Sequence, residues 1–248
     1  MYKVEDTVQH EIRDLLLKSP TDKPIHYANW PVGDDEKDID LSIVIKGRYE
    51  NGFGHLITLW VDQVQVLPDR EVGTKIIRYY SPYEIQLIDG KPNFANHVII
   101  FGPKSIDASI IKAMKNFVRS KGVESPPDPL ILKKVDLKAN MDAIMDHYPN
   151  LQHFCVKGIP DDKTRDIIVK GKELEQSDEY EKFIKDVDTS GNVNFLGITI
   201  ERGRILYVGS DGSVFSRMAF KGEEKIRVVY TLYSQFKKIK AFLKTLDE

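Results

Sequence analysis

The chain has 248 residues, enough to bury a self-sufficient core as one large domain or two ordinary ones. Hydrophobic residues make up 41% and charged residues 30%, which excludes a disordered chain, and a net charge of -2 excludes a global attraction to nucleic acid or anionic membrane. The single cysteine, Cys155, excludes an internal disulfide and a cysteine-based zinc site.

Residues 4–18 place Val4, Val8, Ile12, Leu15 and Leu16 at helical spacing before Ser19-Pro20, which predicts an amphipathic opening helix. From Ile39 the period changes to two. Ile39, Leu41, Ile43 and Ile45 share one face of a half-buried strand, and Asp38, Asp40, Ser42, Val44 and Lys46 share the other. After the turn signal Glu50-Asn51-Gly52-Phe53-Gly54 a second strand runs over 55–67, with Ile57, Leu59 and Val61 on its core face, so the two form a long hairpin. Further strands are predicted at 74–80, at 83–88 before Asp89-Gly90, and at 97–101. A helix follows, carrying Ile110, Ile111, Met114, Phe117 and Val118 on one face and ending at Lys121-Gly122.

Glu124-Ser125-Pro126-Pro127-Asp128-Pro129 suits neither a helix interior nor a central strand. The expected organisation is therefore an N-terminal α+β domain over 1–122, a proline-rich linker over 123–129, and a C-terminal α+β domain over 130–248. The second half reads as a strand at 130–135, a short helix at 139–147, a strand at 152–157 and a charged helical region at 161–187. A β-meander at 192–200, 204–209 and 213–220 follows, with Ser210-Asp211-Gly212 as a hairpin turn. Residues 225–232 read as a fourth strand, and Ser234 as the cap of a final helix with Phe236, Ile239, Phe242, Leu243 and Leu246 inward. The expected fold class is α+β: two domains, each a mainly antiparallel sheet packed with helices.

The run GDDEKDIDLSIVIKG, over 33–47, carries the most specific chemistry. Asp38 and Asp40 lie on one strand face, and pairing Ile45 with Ile57 in the hairpin brings Asp62 opposite Asp40. Carboxylates so placed repel unless something offsets them: a divalent cation such as Mg or Mn, a neighbouring lysine, or full solvation of an edge strand. The stretch from Gly33 to Leu41 resembles the acidic segment of DNA polymerase β-like nucleotidyltransferases. That resemblance implies Asp38, Asp40 and Asp62 as metal ligands of a phosphoryl- or nucleotidyl-transfer enzyme. The segment before it, Tyr27 to Val32, lacks the glycine-serine turn with which that family holds a triphosphate.

Four lysines of the final helix, Lys237, Lys238, Lys240 and Lys244, stand near Tyr230, Tyr233 and Phe236, a pattern that suits either a nucleic-acid backbone or a solvated helix face. His147, His153 and Cys155 lie close together, but Cys155 sits inside an apolar run and reads as interior. Gly209-Ser210-Asp211-Gly212-Ser213 reads as a turn between strands, and Asp89-Gly90-Lys91 as a turn before Pro92. Tyr79, Tyr80 and Tyr83 beside Pro82 suit a partner surface or ordinary sheet packing.

No complete catalytic constellation is legible. The expected function is non-enzymatic binding of another macromolecule, most simply another protein, with metal-dependent transfer and nucleic-acid binding as alternatives. No cofactor is expected unless the aspartates hold Mg or Mn. The opening residues lack the apolar core of a signal peptide, and no apolar run approaches the roughly 20 residues a bilayer requires. A cytoplasmic protein without membrane contact is therefore expected.

Overall fold

The computed structural model describes residues 2–4, 9–31, 38–69, 73–89, 94, 96–102, 107–120, 132–134, 137, 141, 144, 151–157, 166–171, 193–200, 203–217 and 219–246. The fold is mixed α+β with two antiparallel sheets, and the chain divides into compact units at 1–133 and 134–248. The expected linker at 123–129 lies outside the described residues. Among the described residues no helix is long and apolar enough to cross a membrane.

The larger sheet contains strands β1 (Tyr2–Val4), β2 (Pro24–Trp30), β3 (Ile39–Asn51), β4 (Gly54–Asp69), β5 (Gly73–Ile88), β6 (His97–Phe101) and β7 (Leu132–Lys134), all but the last residue of β7 within the first unit. They form one sheet in the order β2-β3-β4-β5-β6-β1-β7. Helices α1 (Gln9–Lys18) and α2 (Asp107–Ser120) supply Ile12, Leu15, Leu16, Ile110, Ala113, Met114, Phe117 and Val118 to its core. The odd-numbered positions Leu41, Ile43, Ile45, Ile57, Leu59, Val61, Tyr83, Ile85 and Leu87 supply the sheet side of the same core. Each such fully buried aliphatic side chain contributes about 1.5–3 kcal/mol.

The expected opening helix is two elements. Tyr2–Val4 is a strand pairing with β6 through Tyr2↔Val98, and the helix starts at Gln9. Strand β2 carried little signal, because His26, Ala28 and Asn29 interrupt the apolar alternation; as an edge strand it tolerates Pro24 at its first position. The two strands expected at 74–80 and 83–88 are one continuous β5. Pro82 pairs with Trp60, and the pairing of β5 with β6 begins only beyond it, at Glu84↔Phe101.

The hairpin register also differs from expectation. Strand β3 continues to Asn51 and turns through Gly52-Phe53 alone, with Phe53 N donating to Asn51 Oδ1 at 2.9 Å. Because Gly54, at φ +123°, packs against Leu87 O, a Cβ there would approach that oxygen to 2.4 Å. Beyond the turn Arg48 pairs with Ile57, a bulge at Lys46 inserts one residue, and Ile45 then pairs with Leu59 rather than Ile57. The bulge restores the core parity of Ile45 and Ile43, and it also turns Arg48 onto the core side. There Arg48 Nε donates to Leu16 O at 2.6 Å, and the same guanidinium donates to Ser19 O, satisfying carbonyls at the end of α1.

The second unit contains β8 (Leu151–Lys157), β9 (Asp166–Lys170), β10 (Val193–Ile200), β11 (Arg204–Gly209) and β12 (Val214–Phe215), in the order β12-β11-β10-β8-β9. Residues 166–170, expected as helix, form β9 and pair Ile168 with Cys155: the run Ile167-Ile168-Val169 favours the ladder over its charged flanks. The rest of the expected helical region at 161–187 lies outside the described residues, apart from Gly171. Helix α3 (Glu223–Leu246) replaces the expected fourth strand and capped helix. Its buried Ile226, Leu232, Tyr233 and Phe236 recur at helical spacing, and Ser234 Oγ donates to Tyr230 O at 2.8 Å within the helix instead of capping it. The meander turn is as read: Asp211 Oδ1 accepts from Ser213 N at 2.9 Å, and Gly212 takes φ +71°.

Candidate interaction surface

Strands β3 and β4 pair from Asn51↔Gly54 only as far as Ile43↔Val61, whereas β4 and β5 continue together to Asp69↔Gly73. Beyond Val61, β4 has no other partner among the described strands, and β5 has none before Glu84. The result is a two-stranded arm of eight residue pairs, from Asp62↔Tyr80 to Asp69↔Gly73. At about 3.3 Å per residue it extends roughly 25 Å.

Side chains plug the point where the strands part. Asp62 is fully buried, and its carboxylate accepts from Arg78 Nε at 3.0 and 2.9 Å and from the terminal nitrogen of the same guanidinium. That nitrogen also donates to Asp40 O at 2.8 Å, and Tyr27 OH donates to Asp62 O at 2.7 Å. These bonds satisfy groups that a continued β3–β4 ladder would have used. The Asp62 hydrogen bonds raise the pKa of Arg78, outweighing its burial, and burial with the Asp62 charge pushes the Tyr27 phenol up to about 12. Both groups therefore keep their neutral-pH protonation states.

The three aspartates read as metal ligands are thus placed differently from one another. Asp38 and Asp40 are exposed, while Asp62 is buried and bound to Arg78; the like-charge repulsion expected there is offset by a guanidinium. Among the described residues no group of three or more His, Cys, Asp or Glu is placed to hold a metal ion. Lys237 and Lys238 are exposed on α3, and burial of part of its stem lowers the pKa of Lys237. The side chains of Lys240 and Lys244 lie outside the described residues.

The outer face beside the plug is aromatic. In strand order Val44 pairs with Trp60 and Trp60 with Pro82, and Asp62 pairs with Tyr80. Trp60 is 41% exposed and Tyr80 46%, their ring centroids 6.2 Å apart, and Lys46 Nζ stands 4.6 Å over the indole while pairing with Asp22 at 2.5 Å. Further along the arm Val66 is 46% exposed, and Tyr79, on the opposite face, donates from its hydroxyl to Gln63 Oε1 at 3.1 Å. Of the tyrosines singled out in the sequence, Tyr79 and Tyr80 lie on this arm and Tyr83 is buried. Sequence reasoning passed over Trp60 and Arg78, although period-two logic exposes Trp60: its neighbours Leu59 and Val61 are core, so it faces outward.

Two other clusters are structural in their contacts. Asp89 accepts from Arg13 at 2.7 Å and lies 3.0 Å from His55 Nδ1, joining α1 to β4 at the end of β5. Burial raises the Asp89 pKa, but the hydrogen bonds from Arg13 and His55 outweigh it and hold the carboxyl below its ordinary value. In the second unit Gly197 pairs with both His153 and Tyr207, and His153 Nδ1 lies 3.1 Å from Tyr207 OH, so the two rings close over the glycine. Phe215 stacks on Tyr207 at 4.7 Å. Cys155, as read, is buried. Comparison with known proteins finds no family model, no curated protein and no solved structure that matches this chain.

Proposed function

We propose that this chain is a non-enzymatic macromolecule-binding protein that docks another protein through its β4–β5 arm and the aromatic face at the base of that arm. One observation carries the proposal: Trp60, Tyr80 and Val66 are exposed on one face of β4 and β5, and the nearby charges, Lys46 and Arg78, are already paired within the chain. Large aromatics with internally compensated charges desolvate at low cost, which suits a protein partner better than a phosphate backbone. No cofactor is involved. The two compact units are taken as two domains, the first bearing the arm. A single buried cysteine accords with a cytoplasmic protein.

The test is photo-cross-linking in the cells that make the protein, with benzoylphenylalanine replacing Tyr80 in one version and the exposed Lys112 of α2 in another. A discrete protein adduct from position 80 and none from position 112 is expected. Equal labelling from both positions, or none from position 80, would remove the proposal.

A further inference from the structure

We propose that the edge of β4 beyond Val61, which has no partner among the described strands, pairs antiparallel with the same edge of a second copy of this chain, joining two arms into a four-stranded sheet about a two-fold axis at Gln65. The inference rests on the docking role proposed for the arm and names its partner.

The two edges of the arm are not equivalent. In an antiparallel strand the N–H and C=O of one residue point to the same side, and the side alternates. Asp62 O accepts from Tyr27, which lies beyond β3, so Asp62, Val64 and Val66 turn their backbone groups away from β5. On the other edge the same alternation turns Ile76, Arg78 and Tyr80 outward, where Lys75, Arg78 and Pro82 supply the charges and the missing donor that protect natural edges. Gln63-Val64-Gln65-Val66-Leu67 carries no charge, proline or glycine. Bounded by Asp62, whose carbonyl is taken by Tyr27, and by Pro68, which lacks an N–H, this segment leaves Val64 and Val66 as the outward-facing residues open to strand pairing.

Its own sequence complements it. Placing Gln65 opposite the partner's Gln65 sets Val64 against the partner's Val66 and Val66 against the partner's Val64. Both residues of each pair point backbone groups outward, so the two pairs exchange four N–H···O bonds. On the outer face the valines and their symmetry mates form one apolar strip with Ile76. On the other face Gln63 lies diagonal to the partner's Gln65. Gln63 itself is held within the chain, its Oε1 accepting from Tyr79. The register opposes no like charges, since Asp62 meets the partner's Pro68 and both Asp62 and Arg78 are paired within each copy. A self-complementary contact requires such compensation, because every charge approaches its own duplicate.

The test uses the full-length protein carrying Gln65→Cys under mild oxidation, with Lys112→Cys as control and the buried Cys155 common to both. A residue on the axis meets the geometry of a disulfide, so covalent dimer is expected at least about tenfold faster than in the control. Light scattering is expected to give a dimer for the wild type and a folded monomer for Val66→Lys, its far-ultraviolet circular dichroism unchanged. Cross-linking of Gln65→Cys no faster than the control, or a wild-type chain monomeric at every concentration, would overturn the inference. A monomer whose position-80 probe still labels a different protein would leave the docking role of the arm intact; a monomer with no adduct would end both.

Discussion

At the scale of single residues, Arg78 determines how Asp62 is tolerated. A fully buried carboxylate is stable only when its charge is met, and here three donor contacts from one guanidinium meet it. Arg78→Leu should therefore cost about 2–3 kcal/mol in chemical denaturation, less than for a wholly buried pair because 46% of the Arg78 side chain remains in water. Adding Asp62→Val should return stability to within about 1 kcal/mol of the wild type, since no uncompensated charge remains. A double variant as unstable as the single one would refute this assignment. Asp62 was legible in the sequence only as one of three converging carboxylates, to be met by a divalent cation, a lysine or full solvation. Arg78 was not, because it stands sixteen positions away and reaches Asp62 only through the β4–β5 register.

At the scale of elements, the ends of α1, β4 and β5 are joined through Asp89. Its pKa is below the ordinary carboxylate value in the folded chain, so the stabilisation is fully present above about pH 4 and is lost as pH falls through the folded value. Asp89→Asn should thus destabilise by about 1 kcal/mol at pH 6, and the two melting temperatures should converge towards pH 3. A gap that stays constant across that range would show that Asp89 acts only through its shape. The strand ladder carries a second lesson at this scale. A single bulge at Lys46 moves the pairing of Ile45 from Ile57 to Leu59, and the same step sends Arg48 to the end of α1. The bulge switches the core side of β3 from the odd positions Ile43 and Ile45 to the even position Arg48, a change that the alternation before Lys46 does not announce.

At the scale of the whole molecule, two compact units each carry their own sheet. If they are domains, calorimetry should resolve two transitions, and Arg78→Leu should lower only the one belonging to residues 1–133, by about 10 °C. One transition moving as a whole would count against two domains. An arm of this kind also needs support, since a two-stranded hairpin by itself is marginal in water. The plug of Tyr27, Arg78 and Asp62 anchors its base, and a partner strand along β4 would secure its length.

By itself, the sequence determined the mixed α+β class, the hairpin of β3 and β4, the meander turn at Ser210-Asp211-Gly212, the inward face of α2 and the buried state of Cys155. Each of these depends on local periodicity or on turn chemistry, which a short window contains in full. Only the tertiary structure decided that residues 225–246 form one helix, that 166–170 is a strand, and that the acidic run ends beside an arginine on another strand. Those outcomes depend on which distant segment supplies the pairing, the burial or the counter-charge, and no window of neighbouring residues holds that information.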